Sequence, residues 1–470
     1  MTIKALLKRW LHRPAQVGDS TVAFANDRDV GGCLVLEREG VADGTTARTE
    51  ASAEAQPAKP RAGKHAEAVI RAESEVLNSA VTAPYERRLV QLDTGDVVNT
   101  VIFGERDGHK PALVLAHGWG AGLGFYCHNL DALARNYRVF CFDWVGCGGS
   151  SRPRFNRHMS AEESERFFLD RFDEWTRRVG LDKERFILAG HSLGGYLAAV
   201  YALRNPHRLQ GLALISPFGL PDPRAARNAS ENVNRWRTWQ AQRARDAANA
   251  SPAGCPEGEA PASPPDLEGP TESLDGRIPL RYRVARRVFR AAWNLNLTPQ
   301  RFLRFASTFS DAWSRDLVQK YVDMRFAAAF RDPQQKQAIA HYLHAISVAP
   351  GSGEFAVKTL MLPGAWARLP LMHRLPALPP DLPVVYIYGD SDWMNPQHAR
   401  ELMQLSAGRG HHDMHLAVVP DSGHYLFLEN PAIFNAVFLQ SCQEHILKRD
   451  AARHEAVVGN AHTDDSSSVS

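Results

Sequence analysis

One serine, Ser192, stands in a setting that favours nucleophilic chemistry. It lies in the pentapeptide Gly190-His-Ser-Leu-Gly194, after the apolar run 186–189 and before a helical pattern over 196–203. When G-x-S-x-G joins a strand to a helix, it predicts a nucleophile elbow: a strained turn presents the hydroxyl, and the helix N-terminus faces a developing anion. The pentapeptide alone is weak evidence, because about 0.15 of them occur by chance in a chain of this length. The alternative interpretation is a tight strand–helix turn without a catalytic role.

A serine nucleophile needs a histidine to accept its proton and a carboxylate to fix the tautomer of that histidine. Behind an elbow, both partners are expected later in the chain, each at the C-terminal end of a strand. His424 follows the apolar run 414–419 and is predicted to be the base. Asp392 is the preferred carboxylate, because it lies further past the strand 383–389 than Asp390 does. Asp390 is the reserve acid, with stabilisation of the turn as its other role.

Two further carboxylates also come close to predicted strand ends. Asp421 is a third option for the acid, whereas Asp143 precedes the serine and is expected to be structural. The oxyanion hole is predicted to use the backbone N–H groups of Leu193 and Trp119, by position rather than by side-chain type. His117 is interpreted as a residue that stabilises its turn, not as a base.

The elements around these residues alternate between strand and helix patterns. We expect a hairpin of 88–92 with 97–103, then strands over 111–117, 138–143, 186–189, 209–216, 383–389 and 414–419. Helical patterns cover about 65–81, 125–135, 161–179 and 431–447. This alternation predicts an α/β fold with a mostly parallel sheet covered by helices on both faces.

The alternation stops between 217 and 383, where helical patterns cover 279–293, 298–308, 311–326 and 333–346. An all-helical insertion between two halves of a sheet is typical of a lid over an active site. The predicted organisation is an N-terminal extension (1–64), a first half of the core (65–220), a lid (221–375), a second half (376–448) and a tail (449–470). The extension, the Pro/Ala/Gly/Glu stretch 250–276 and the tail are expected to be largely disordered.

Two basic segments could meet a lipid surface. In residues 1–13, one helical face is apolar and the remainder is basic, which fits an interfacial helix, a mitochondrial presequence or a solvated tail. The insertion carries a second cationic run, whose members are Arg283, Arg286, Arg287 and Arg290. That run indicates either a solvated helix face or a contact with phospholipid headgroups, since guanidinium groups bind phosphate well.

Composition narrows the function classes. The net charge of +3 argues against nucleic-acid binding, and no apolar run reaches the 18 residues of a membrane-spanning helix. The six cysteines lack C-x-x-C spacing, which favours a reducing compartment. Neither a metal-ligand set nor a glycine-rich nucleotide motif is present, so no metal or cofactor is expected.

Between about Ala66 and Cys442 the chain resembles one branch of the α/β-hydrolase superfamily. That branch includes the lysophosphatidic acid acyltransferase-like coactivator of triglyceride lipase, N-acyl phospholipid lipases and yeast-type cardiolipin deacylases. The matching motifs begin at Ala66, His117, Ser150, Gly190, Ser352, Trp366 and Gly423, and read AEAVIRAESEVL, HGWGAGLG, SSRPRF, GHSLGG, SGE, WARLP and GHY.

The resemblance implies an acyl-ester chemistry on lipids. Coactivator members of the branch have asparagine at the elbow, whereas this chain has Ser192, which favours an active enzyme. The branch's acyltransferase motif is H-x-x-x-x-D, whereas here His424 is followed by Glu429. We therefore expect a phospholipid deacylase that is intracellular and peripheral on membranes or lipid droplets, with the mitochondrion as an alternative location. A lysophosphatidic acid acyltransferase, or a non-catalytic coactivator with a lipase as its protein partner, remains an alternative.

Overall fold

The computed structural model describes residues 64–104, 110–222, 287, 291–363 and 366–451. Predictions for residues 1–63, for the stretch 250–276, for most of the pattern 279–293 and for the tail beyond 451 concern residues outside these ranges.

Eight strands form one sheet, and two short strands pair separately. In chain order they are β1 (Tyr85–Gln91), β2 (Val97–Phe103), β3 (Ala112–Ala116), β4 (Arg138–Phe142), β5 (Phe186–His191), β6 (Leu209–Ile215), β7 (Met361–Leu362), β8 (Trp366–Ala367), β9 (Val384–Gly389) and β10 (Met414–Val419). The large sheet has the order β1-β2-β4-β3-β5-β6-β9-β10, and β7 pairs with β8.

The first two pairings of the sheet, β1 with β2 and β2 with β4, are antiparallel, and every pairing from β4 to β10 is parallel. Every residue of β3, β4, β5 and β9 is buried, as strands covered on both faces must be. The predicted fold class, a mostly parallel sheet covered by helices, is confirmed.

The α-helices lie before, between and after these strands. They are Lys64–Ala80, Leu130–Ala134, Ala161–Arg178, Leu193–Arg204, Pro299–Phe309, Asp311–Arg325, Pro333–Val348, Ala356–Leu360, Gln397–Ala407, Leu426–Glu429 and Pro431–Cys442. Among the described residues, no helix is long and apolar enough to cross a membrane.

The helical insertion lies between β6 and β9, as the pattern predicts, and its helices begin at recognisable caps. The side chains of Thr298, Ser310 and Asp332 accept hydrogen bonds from backbone N–H groups in the first turns of the three helices that follow them. Proline occupies the first position of Pro299–Phe309 and of Pro333–Val348, where its missing N–H has no cost.

Several elements differ from the sequence pattern, among them the short strands β7 and β8 and two helices. The predicted helix 125–135 is a 3₁₀ turn, Leu123–Tyr126, followed by the short helix Leu130–Ala134. The helix Gln397–Ala407 was not predicted, because its buried face includes His398 and Ser406 and so breaks the apolar periodicity.

Candidate active site

Ser192 occupies a sharp turn between β5 and the helix Leu193–Arg204. Its backbone angles are φ 53° and ψ −116°, a conformation that a non-glycine residue adopts only when its surroundings impose it. The neighbouring chain is close enough to require glycine: a Cβ on Gly194 would lie 2.4 Å from the carbonyl oxygen of Ala116. The turn therefore has the strained geometry of a nucleophile elbow.

The structure pairs His424 with Asp392. The Nδ1 atom of His424 lies 3.1 Å from Oδ1 and 3.4 Å from Oδ2 of Asp392, and both side chains are buried. The Oδ1 atom of Asp392 also accepts a hydrogen bond from the backbone N–H of Met394 at 3.0 Å. Because the carboxylate can only accept, Nδ1 carries the proton and Nε2 of a neutral His424 is left as the acceptor.

His191, the residue before Ser192, attaches the elbow to the His424 loop. Its Nε2–H donates to the carbonyl oxygen of His424 at 2.8 Å, and the two imidazole rings are 4.7 Å apart. Burial, together with the neighbouring His424, holds the pKa of His191 well below its usual range. His191 therefore stays neutral beside the candidate base. The sequence carried no signal for this role, since any residue satisfies the second position of G-x-S-x-G.

The loop after β3 lies directly against the elbow. A Cβ on Gly118 would be 3.1 Å from Cβ of Ser192 and 3.0 Å from Nδ1 of His191, so this loop can approach the serine only with glycine there. The next residue, Trp119, has its backbone amide in this loop, and its indole N–H donates to the carbonyl oxygen of Glu354 at 2.9 Å. The amide of Leu193 lies at the start of the helix after the elbow.

The structure separates Asp390 and Asp421 from the imidazole of His424. The carboxylate of Asp390 accepts hydrogen bonds from the backbone N–H groups of Asp421 and Ser422, both at 3.2 Å. Asp390 thus holds the turn that leads to His424, while Asp421 is exposed with a positive φ of 50°. Of the two aspartates that follow Gly389, Asp392 is the one that contacts the imidazole of His424.

Asp143 and His117 support the backbone behind the elbow. Asp143 is fully buried and accepts from the backbone N–H groups of Leu123 and Gly149, each at 2.8 Å. The Nδ1–H of His117 donates to the carbonyl oxygen of Gly118 at 2.9 Å, and burial lowers the pKa of this histidine. These contacts agree with the structural roles expected for both residues.

A model described as the alpha/beta hydrolase fold matches residues 111–431. The chain belongs to this family. The 1-acylglycerol-3-phosphate O-acyltransferase of Arabidopsis thaliana is 31% identical over 402 residues, which cover 80% of this chain and 81% of that relative.

Two human proteins are similar over comparable lengths. The 1-acylglycerol-3-phosphate O-acyltransferase ABHD5 is 28% identical, over 78% of this chain and 88% of its own. The (lyso)-N-acylphosphatidylethanolamine lipase is 26% identical, over 76% of this chain and 86% of its own. All three relatives are named for reactions on lipids, and the family branch inferred from the motifs is confirmed.

In this α/β-hydrolase, the carboxylate of Glu429 is not bonded to the imidazole of His424. Its Oε2 accepts from the backbone N–H of Gly423 at 2.6 Å, and its Oε1 lies 2.7 Å from the guanidinium of Arg325. Glu429 therefore joins the His424 loop to the inserted helix Asp311–Arg325. His424 and Glu429, which occupy the His and Asp positions of the H-x-x-x-x-D motif, therefore do not form a base–carboxylate pair. The carboxylate at Nδ1 of His424 is that of Asp392.

The cationic run of the insertion is the remaining predicted site. Arg283, Arg286 and Arg290 lie outside the described residues, and Arg287 is exposed. Within the part of the chain that the structure describes, no group of three or more His, Cys, Asp or Glu residues is arranged to hold a metal ion.

Proposed function

We propose that this α/β-hydrolase is a serine acyl-ester hydrolase that removes acyl chains from phospholipids. The observation that carries the proposal is the buried His424–Asp392 pair, whose loop is hydrogen-bonded to the residue before Ser192. The pair supports a base with a fixed tautomer, and the contact with His191 supports its placement near the strained Ser192, as nucleophilic catalysis requires.

In the proposed reaction, Oγ of Ser192 attacks the ester carbonyl while Nε2 of His424 takes its proton. Asp392 holds the Nδ1–H and stabilises the imidazolium. The amides of Leu193 and Trp119 receive the negative oxygen of the tetrahedral intermediate. His424 then protonates the leaving alcohol. Water, deprotonated by the same histidine, finally releases the fatty acid and restores the serine.

Phospholipid is the proposed substrate class because the relatives are named for lipid reactions, one of them for an N-acyl phospholipid. The reaction would take place at an intracellular membrane or lipid-droplet surface, where such substrates reside.

Acyl transfer to a lysophospholipid is the second candidate, supported by the names of two relatives. It would use the same serine, histidine and aspartate, with a lysophosphatidic acid hydroxyl in place of water. Glu429 would not serve as the carboxylate partner of the base, because its oxygens are committed to Gly423 and Arg325.

The proposal is tested with purified wild-type protein and Ser192→Ala on phospholipid vesicles, with and without lysophosphatidic acid. We expect a fluorophosphonate probe to label the wild type only, and fatty-acid release to fall at least about 10³-fold in the variant. Conversion of lysophosphatidic acid to phosphatidic acid in excess of fatty-acid release would favour the acyltransferase. Unchanged lipid turnover in cells carrying Ser192→Ala would instead favour a non-catalytic coactivator of another lipase.

A further inference from the structure

One helix of the insertion presents an apolar face to solvent. Phe302, Phe305 and Phe309 of Pro299–Phe309 are 53%, 60% and 71% exposed, and their spacing of three and four residues places them on one side. Trp313, 46% exposed, lies beside Phe302, and Leu295 and Leu297, which come just before the helix, are 62% and 52% exposed. The rings of Phe305 and Phe309 are 4.9 Å apart, and Phe302 is 6.2 Å from Trp313. We call these six residues the lid face.

Other residues of the same helix connect it to the candidate active site. Ala306 is fully buried, and Arg304 forms an ion pair with Glu354, whose carbonyl oxygen accepts from the Trp119 indole. The amide nitrogen of Gln300 lies 3.0 Å from where a Cβ would be on Gly120, in the same loop as Trp119. The helix is therefore anchored to the loop that lies against the elbow.

In the amino-acid sequence, the phenylalanines of the lid face follow a segment whose charged residues have one sign. From Gly276 to Ser310 every charged residue is an arginine, and the next acid is Asp311. An apolar face rich in aromatic residues, within an arginine-rich segment without acids, matches a bilayer that contains anionic phospholipid. A contiguous exposed apolar patch of this kind is unusual on a surface that meets only water.

We propose that the lid face is the surface by which this protein docks on a phospholipid bilayer. In one respect it rests on the proposed function: docking would bring the loop beside Ser192 close to the membrane that holds the proposed substrate. The aromatic side chains would enter the headgroup–acyl boundary, and the exposed Arg301 of the same helix would lie near lipid phosphates.

The test measures binding of the full-length protein to phosphatidylcholine vesicles, with and without phosphatidylglycerol, by co-sedimentation. All proteins carry Ser192→Ala, so that binding is read without turnover and a failure of the catalytic proposal does not affect the result. The test variant is Phe302→Gln/Phe305→Gln/Phe309→Gln. The matched control replaces exposed apolar residues of other elements, as Leu405→Gln/Val418→Thr/Ile433→Gln.

We expect the test variant to bind anionic vesicles at least about 30-fold more weakly than its parent, since three half-exposed aromatic side chains no longer leave water. The control should bind as its parent does, and both should keep the parent's thermal midpoint by circular dichroism. Equal binding by the test variant and its parent would overturn the proposal, as would a parent that binds no vesicles. Light scattering gives the remaining outcome: a parent dimer that the test variant converts to a monomer would assign the face to a second copy and overturn bilayer docking.

Discussion

The two aspartates that follow β9 offer a matched pair of substitutions. Asp392 accepts from the imidazole of His424, whereas Asp390 accepts from the backbone of the turn before it. We predict that Asp392→Asn abolishes most activity at little cost in stability. Asp390→Asn should have the reverse effect, because it weakens a turn without altering the tautomer of the base.

The magnitudes follow from the contacts. An amide at 392 removes the negative charge beside the imidazolium and can present an N–H to Nδ1, which favours the wrong tautomer. Such a change costs about 10⁴ in kcat, or about 5 kcal/mol of transition-state stabilisation. Asp390 accepts two backbone N–H groups at 3.2 Å, and an amide keeps a single acceptor oxygen. The expected cost there is about 1 kcal/mol of unfolding free energy.

Both variants are assayed for release of fatty acid from phospholipid vesicles at saturating substrate, and for stability by urea unfolding. Asp392→Asn should retain the wild-type unfolding midpoint within experimental error. If Asp390→Asn lowered kcat as much as Asp392→Asn, the assignment of the carboxylate from the His424 contact would be refuted.

Two further predictions concern Glu73, which is buried in the helix Lys64–Ala80, and Trp119. Burial, with the neighbouring Asp143 charge, raises the pKa of Glu73 from its ordinary value of 4.5 to about 7. The contribution of Glu73 to the free energy of unfolding is therefore highest below its ordinary pKa of 4.5 and is lost as pH rises through 7. Because Gln does not titrate, the free energy of unfolding of Glu73→Gln, measured in urea relative to wild type, should rise by about 2 kcal/mol between about pH 5 and pH 8. An equal stability difference at both pH values would contradict this. Trp119→Phe removes the indole N–H that donates to the carbonyl oxygen of Glu354. We expect kcat to fall about fivefold, because the loop that carries the proposed oxyanion amide loses a hydrogen bond of about 1 kcal/mol. Steady-state kinetics on a soluble ester measures this, and an unchanged kcat would count against it.

Much of the fold could be predicted because its signals are local. The strands are continuous apolar runs, since both faces of the sheet are covered, and the G-x-S-x-G motif specifies its own turn. The sequence therefore predicts the eight strands of the large sheet and the helices between β6 and β9, but not the two-residue strands β7 and β8. The helix Gln397–Ala407 was missed because buried polar residues interrupt its apolar stripe.

The amino-acid sequence by itself determined the mostly parallel sheet, the elbow at Ser192 and the order of the candidate triad, because these depend on patterns within a few residues. Only the tertiary structure decided that Asp392, not Asp390, meets His424, and that His191 ties this loop to the elbow. The tertiary structure also shows that Glu429 pairs with Arg325 and that Phe302, Phe305 and Phe309 are exposed. Such contacts join residues far apart in the chain and depend on differences of a few ångströms in packing. A pattern of neighbouring residues in the sequence contains no information about these differences.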